Sequence, residues 1–166
     1  MAKRNILTRG NEALEQSCRE VVDFNARLHT LLDDMRETML DADGIGLAAP
    51  QVGVLRRVAL VLDTNRETEC PEEMLIELIN PVILESEGEQ TGIEGCLSVP
   101  GLAGVVTRAE TVKVRAQDRD GNWFETEGTG LTARAICHEL DHLDGIIYQD
   151  KATEMQEPEE DDGEEE

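Results

Sequence analysis

Two histidines four residues apart, with a glutamate directly after the first, constrain this chain more than any other feature: His138-Glu139-Leu140-Asp141-His142. On an α-helix, residues i and i+4 share a face, so the two imidazoles can meet one metal ion while Glu139 stands beside it. The surrounding pattern is helical. Leu131, Ala135, Ile136, Leu140 and Leu143 form an apolar stripe, Thr129 or Thr132 is placed to start the segment, and Gly145 is placed to end it. A fold built on this stretch must bury a helix that carries ionisable groups. It must also bring that helix a third ligand, because a catalytic metal site usually has three protein ligands and one open position.

The chain beyond the pair narrows the source of that ligand. A continuation H-E-x-x-H-x-x-G-x-x-H would supply a third histidine, and this chain follows it through Gly145 but carries Tyr148 at the last position. A glutamate on a later packed helix needs more chain than remains, and Glu154 and Glu157 have no apolar pattern to hold them. The ligand is therefore expected upstream, and Cys96, preceded by Gly95, is the strongest candidate, since a thiolate and two imidazoles suit Zn²⁺ or Fe²⁺. Cys137 points about 100° away from His138 on the helix. Cys18 falls in the first helical region and Cys70 in a polar loop, so all three read as packing or surface thiols, and His29 as an ordinary boundary histidine.

The rest of the chain reads as scaffold. A helical pattern runs from Asn11 to about Asp41, clearest through Leu28, Leu31, Leu32, Met35 and Met39, with Asp23 or Asn25 as its cap and Gly44 at its end. Gly44-Ile45-Gly46-Leu47-Ala48-Ala49-Pro50-Gln51 follows a helix rather than a strand and contains a proline, which rejects a dinucleotide-binding turn. Its glycines point instead to a tight loop whose backbone approaches something closely. Arg57 to Asp63 reads as a buried strand, Met74 to Glu85 as two short strands split by Asn80-Pro81, and Thr64 to Pro71 as a loop. Thr111 to Asp118 and Asn122 to Glu127 read as a hairpin turning at Arg119-Asp120-Gly121.

Composition limits the function classes. With 166 residues, one domain over residues 1–150 is expected, followed by an acidic, structureless tail over 151–166; residues 154–166 hold nine acids and no base. A net charge of −22 argues against direct binding to nucleic acid or an anionic membrane, and aromatics at 2% are too few for a base-stacking platform. No stretch reaches the length of a membrane span and the first residues lack the apolar run of a signal peptide, so a cytoplasmic location is expected. Four cysteines without CxxC spacing fit free thiols in a reducing compartment.

Three segments in one order, Gly44-Ile45-Gly46-Leu47-Ala48-Ala49-Pro50-Gln51, then Glu94-Gly95-Cys96-Leu97-Ser98, then His138-Glu139-Leu140-Asp141-His142-Leu143 with Gly145, resemble the signature motifs of bacterial peptide deformylases. The resemblance runs from near the amino terminus to about residue 150. It implies an α+β fold with antiparallel sheets around a central metal-binding helix and an N-terminal helix. It implies Fe²⁺, replaceable by Zn²⁺ or Ni²⁺, held by Cys96, His138 and His142. The substrate it implies is the N-formylmethionyl end of a newly made polypeptide, and the products are formate and a free amine.

That chemistry suits the residues. A formyl amide is a poor electrophile and water a poor nucleophile, so the metal must acidify its bound water and polarise the formyl oxygen, while Glu139 takes and returns the proton. By resemblance, the Gln51 side-chain amide and the Leu97 backbone N–H complete an oxyanion site, Gly46 lets main chain meet substrate main chain, and Ile45 and Leu131 wall the methionine pocket. Asp141 is a candidate to orient a histidine, and Glu94 to pair with Arg108. Some bacterial deformylases end in a basic helix resembling a ribosome-docking device. This chain ends in acids, so any meeting with the ribosome is expected to be transient and without such a helix. Two other classes share the helix: a metal-dependent peptidase, which needs an extended groove and another third ligand, and a non-catalytic metal-binding protein, which needs neither Glu139 nor Gln51.

Overall fold

A computed structural model describes residues 2–8, 10–65, 74–147 and, as backbone, 154–156. Cys70, Tyr148 and most of the acidic tail lie outside the described residues. Among the described residues, eight strands and two α-helices follow in the order α1 (Ala26–Asp41), β1 (Gly46–Ala48), β2 (Val58–Leu62), β3 (Leu75–Glu87), β4 (Gln90–Cys96), β5 (Val99–Arg108), β6 (Thr111–Gln117), β7 (Trp123–Thr129), α2 (Leu131–Leu143) and β8 (Glu154–Gln156). All strand pairings are antiparallel: β1-β2-β3-β6-β7 form one sheet and β4-β5-β8 another. The α+β architecture with an N-terminal helix and a central helix is as expected.

The two helices cover opposite faces of the larger sheet. In β2, Val58 and Leu60 join the cluster built on Leu28, Leu31, Leu32, Met35 and Met39 of α1, whereas Val61 joins Ala133, Ala135, Ile136 and Leu140 of α2. Alternate side chains of a strand face opposite ways, so a strand sandwiched in this manner is apolar throughout. Further along the sheet, β6 turns Val112, Val114 and Ala116 toward α2 and leaves Lys113 and Arg115 outward. The two buried layers hold α2 between the larger sheet and the hairpin of β4 and β5.

Several expectations shift. The helix does not begin near Asn11: residues 12–15 form a single 3₁₀ turn, and α1 starts after Asn25, whose side chain accepts the Leu28 N–H at 3.2 Å. It ends before Gly44, with Asp43 in the left-handed conformation at φ 57° and the Gly44 N–H donating to Met39 O at 3.0 Å. The segment 46–52 is no simple loop but β1 followed by a 3₁₀ turn over Ala49–Val52, with Pro50 in its first turn. Asn80-Pro81 does not split two strands; it sits in a bulge of one thirteen-residue strand, Asn80 having φ 53°. No threonine side chain caps α2: it starts after Gly130, and Thr132 Oγ1 instead accepts the Thr64 N–H at 2.9 Å. Gly145, at φ 78°, does follow its end. Residues 154–156, expected in a structureless tail, pair with β5 as β8.

Candidate metal centre and catalytic cleft

β4 is the outer strand of its sheet and ends at Cys96, where Leu97 and Ser98 turn the chain back into β5. α2 passes this turn with the face that carries His138 and His142. Cys96, His138 and His142 thereby each offer a ligand atom within 4.8 Å of the others. Cys96 Sγ lies 3.3 Å from His142 Nε2, and the two imidazoles stand edge to face with centroids 5.0 Å apart. The rival thiols are elsewhere. Cys18 is buried in the core, where burial pushes its thiol up to about 11, and Cys137 lines a different cavity. His29 Nε2 is taken by Arg119 O at 2.8 Å.

The electrostatics suit a cation. Burial acts against protonation of His138, but its hydrogen bonds with Cys96 and Glu94 and the nearby Glu139 outweigh it and raise its pKa; the carboxylates among these would attract a divalent ion. Burial, reinforced by His138 and Arg108, holds His142 down to about 3, so it is a neutral imidazole with a free lone pair, as a ligand requires. The donor set of one thiolate and two imidazoles is therefore chemically fit for Fe²⁺, Zn²⁺ or Ni²⁺.

Glu94 supplies what the sequence leaves open, the partner of His138. Its Oε1 accepts from His138 Nδ1 at 2.9 Å and Arg108 NH2 at 3.0 Å, and its Oε2 from Arg108 Nε at 2.8 Å and Arg134 NH1 at 2.7 Å. Burial alone would raise its pKa, yet the bonds and charges of Arg108 and His138 drive it down to about 2. Asp141 accepts from Arg108 NH1 at 2.6 Å.

Glu139 is 5% exposed, and its Oε1 is buried with no hydrogen-bond partner among the described residues. Burial, only partly offset by His138, pushes its pKa up to about 7. Gly46 makes room for it: a Cβ there would lie 2.5 Å from Glu139 Oε2 and 2.8 Å from its Cγ. Gln51, 1% exposed, is oriented by its carbonyl, which accepts the Ala48 N–H at 2.9 Å. Its amide nitrogen consequently faces the turn after β4, 3.1 Å from Ser98 Oγ and 3.7 Å from Cys96 Sγ.

These groups line a cleft of about 340 Å³. Gln51, His138 and Glu139 are among its buried residues, whereas Ile45 and Leu131 are 37% and 49% exposed. Leu97 and Gly46 line it too, so every expected site residue except the fully buried His142 borders the cleft, and His142 touches Cys96. Arg134, Ser98 and the exposed Ile93 were missed. Arg134 had a signal in the sequence, since it precedes His138 by four residues and so shares its helix face.

The family model for polypeptide deformylase matches residues 3–158. A peptide deformylase of Lachnoclostridium phytofermentans is 54% identical over 151 residues, covering 91% of this chain and 90% of that one. Peptide deformylase 1 of Bacillus anthracis is 55% identical over 153 residues, covering 92% and 94%. Among solved structures, a peptide deformylase from Legionella pneumophila superposes with a TM-score of 0.84 at 43% identity, covering 92% of this chain and 87% of that one. One from Thermotoga maritima gives 0.84 at 33% identity, covering 92% and 99%. The chain belongs to the polypeptide deformylase family.

Proposed function

We propose that Cys96, His138 and His142 hold the metal ion on which this deformylase depends, that Fe²⁺ is the physiological ion with Zn²⁺ or Ni²⁺ able to replace it, and that Glu139 moves the proton. The family's reaction removes the formyl group from the N-terminal formylmethionine of nascent polypeptides and releases formate. The observation that carries the residue assignment is the pairing of a three-donor cluster with a buried glutamate whose Oε1 has no partner among the described residues.

When bound, the ion supplies Lewis acidity to a water and to the formyl oxygen. Glu139 Oε1 accepts the proton of the attacking water and delivers it to the departing amine, a task that a carboxyl poised near neutrality performs in both directions. Gln51 Nε2 and the Leu97 backbone N–H donate to the formyl oxygen as it gains charge, each worth about 3 kcal/mol of barrier. β1 and β4 are both outer strands, so their free edges beside the cleft can pair with an extended peptide irrespective of its side chains. Gly46 lies on one of these edges, and Ile45 and Leu131 offer apolar surface to the methionine side chain. The enzyme works in the cytoplasm and meets nascent chains near the ribosome by transient encounter. No helix among the described residues is long and apolar enough to cross a membrane.

The test is formate release from a formyl-Met peptide by protein purified without oxygen, with metal analysis of each sample. Glu139→Ala is expected to lose about 100-fold or more in rate while keeping its metal, and Cys96→Ala to lose the metal itself. Unchanged release in Glu139→Ala sinks the proton-transfer assignment. Stoichiometric metal in Cys96→Ala sinks the ligand set. Decay of activity in air marks Fe²⁺ beside a thiolate, whereas indifference to oxygen marks Zn²⁺ or Ni²⁺.

A further inference from the structure

Glu94 is a saturated carboxylate. Each of its oxygens accepts two hydrogen bonds, from His138 and Arg108 on Oε1 and from Arg108 and Arg134 on Oε2, at 2.7 to 3.0 Å. Arg108 alone does not achieve this, because it divides its donors between Glu94 and Asp141. The remaining Oε2 position is filled by Arg134, 7% exposed, whose NH1 also reaches Val106 O at 3.3 Å and so spans from α2 to β5. Gly92 admits this side chain beneath β4: a Cβ there would lie 3.2 Å from Arg134 NH2.

Resting on the ligand set proposed above, we infer that Arg134 is a positioning residue of the metal centre, locking Glu94 so that His138 is held as the tautomer whose Nε2 is free for the metal. A histidine ligand keeps its orientation only while its other ring nitrogen has a fixed acceptor. Without Arg134, a buried Oε2 lone pair goes unsatisfied, and Glu94 is free to turn about its contact with Arg108 or admit water from the cleft. His138 Nδ1 then loses a rigid partner.

Two effects of removing Arg134 have opposite signs, and this makes the inference decidable. Losing a positive charge near the site strengthens the attraction for a cation, so charge alone predicts slower metal release. Losing the clamp predicts faster release. The experiment measures transfer of zinc from the zinc-loaded enzyme to an excess of chromogenic chelator, with thermal melting of every variant alongside. Arg134→Met is expected to release zinc about tenfold faster than the parent. Arg134→Lys keeps the charge but lacks the planar fork and is expected to fall between them. In a Glu94→Gln background, where the clamped group is already altered, adding Arg134→Met is expected to change release by less than about twofold, since coupled residues are not additive.

Parental or slower release in Arg134→Met overturns the inference. So does an equal acceleration in both backgrounds, which would mean that Arg134 acts by general packing rather than through Glu94. Cys96→Ser is measured in the same series. Parental zinc release from it overturns the ligand set and the inference together, whereas rapid loss from it with no change in Arg134→Met overturns the inference alone.

Discussion

The hydrogen atom at Gly46 decides where Glu139 stands. A methyl group in its place would meet Oε2, Cγ and Cδ of Glu139 at 2.5, 2.8 and 2.9 Å, so Glu139, 5% exposed, would be pushed from its place against β1. The glycine is in β1, paired with Val61 and fixed by the sheet, so the side chain rather than the strand must yield. Gly46→Ala is expected to lose about 100-fold in formate release while retaining its metal, because displacing a reacting group by about 1 Å carries a cost of that order. Unchanged turnover with full metal content would show that Glu139 works from another position. The residues that meet in the candidate site were legible in the sequence because their types and spacing stand out: His138 and His142 four apart, Glu139 between them, Cys96 beside a glycine. The residues that place them were not. Gly46 against Glu139, and Arg134 against Glu94, are contacts between distant parts of the chain, and only the packing of β1, β4 and α2 creates them.

At the scale of elements, Asn80 shows how a local signal can mislead. Asn-Pro ordinarily breaks a strand, yet β3 continues through it because a bulge accommodates both the left-handed φ of 53° and the missing proline N–H. The Asn80 side chain holds the bulge: Oδ1 accepts the Val21 N–H at 2.8 Å, and Nδ2 donates to Val21 O at 2.9 Å and Gln117 Oε1 at 2.7 Å. Asn80→Ala is expected to cost about 2–4 kcal/mol in urea denaturation, from buried partners left unpaired and a β-carbon in the left-handed region. Asn80→Gly, which removes the backbone conflict but not the lost bonds, is expected to recover about 1 kcal/mol of that. Equal midpoints for the two variants would show that the backbone conformation carries no strain. Residues 11–25 misled for a related reason. Leu14, Cys18 and Val21 are spaced four and three apart, as on one helix face, but each serves a different part of the core: Leu14 packs with Val99 and Ile147, Cys18 with Ala48 and Leu143, Val21 with α1. Periodicity reports burial, and an irregular segment crossing three clusters can imitate a helix. α2 was legible because the middle of its stripe, Ala135, Ile136 and Leu140, meets one continuous surface formed by β2, β3 and β6, while Leu143 packs with Cys18, Ala48 and Ala59 and Leu131 stays half exposed.

Across the whole molecule, the first residues tie distant layers together, and acid should untie them. Asp34 on α1 accepts the Ala2 N–H at 2.8 Å and Arg4 Nε at 3.0 Å, Thr38 accepts the Arg4 N–H at 2.8 Å, and the Leu7 N–H reaches Gln51 O at 2.7 Å. The amino-terminal segment thus links α1 to the turn that carries Gln51. The Ala2 N–H, and after it the Arg4 guanidinium, hold the Asp34 carboxyl below its ordinary value of 3.8 against the opposing effect of burial. A carboxylate with a depressed folded pKa stabilises the fold fully above its ordinary value, and the contribution is lost as pH falls through that value toward the folded one. A second influence runs the other way. At a net charge of −22 the folded chain repels itself, so partial protonation of its many other carboxylates relieves strain as pH falls. Comparing the parent with Asp34→Asn at each pH removes this shared background, because the two proteins differ by one charge. The gap between their urea midpoints is expected to be widest at about pH 6, and to narrow below about pH 4 as Asp34 takes up its proton. High salt should shift both proteins together through the screened net repulsion and leave most of the gap in place, since the Asp34 contacts are short and partly buried. A gap that stays constant down to pH 3 would show that Asp34 does not titrate in this window and that the amino-terminal tie is held by Thr38 and Gln51 instead.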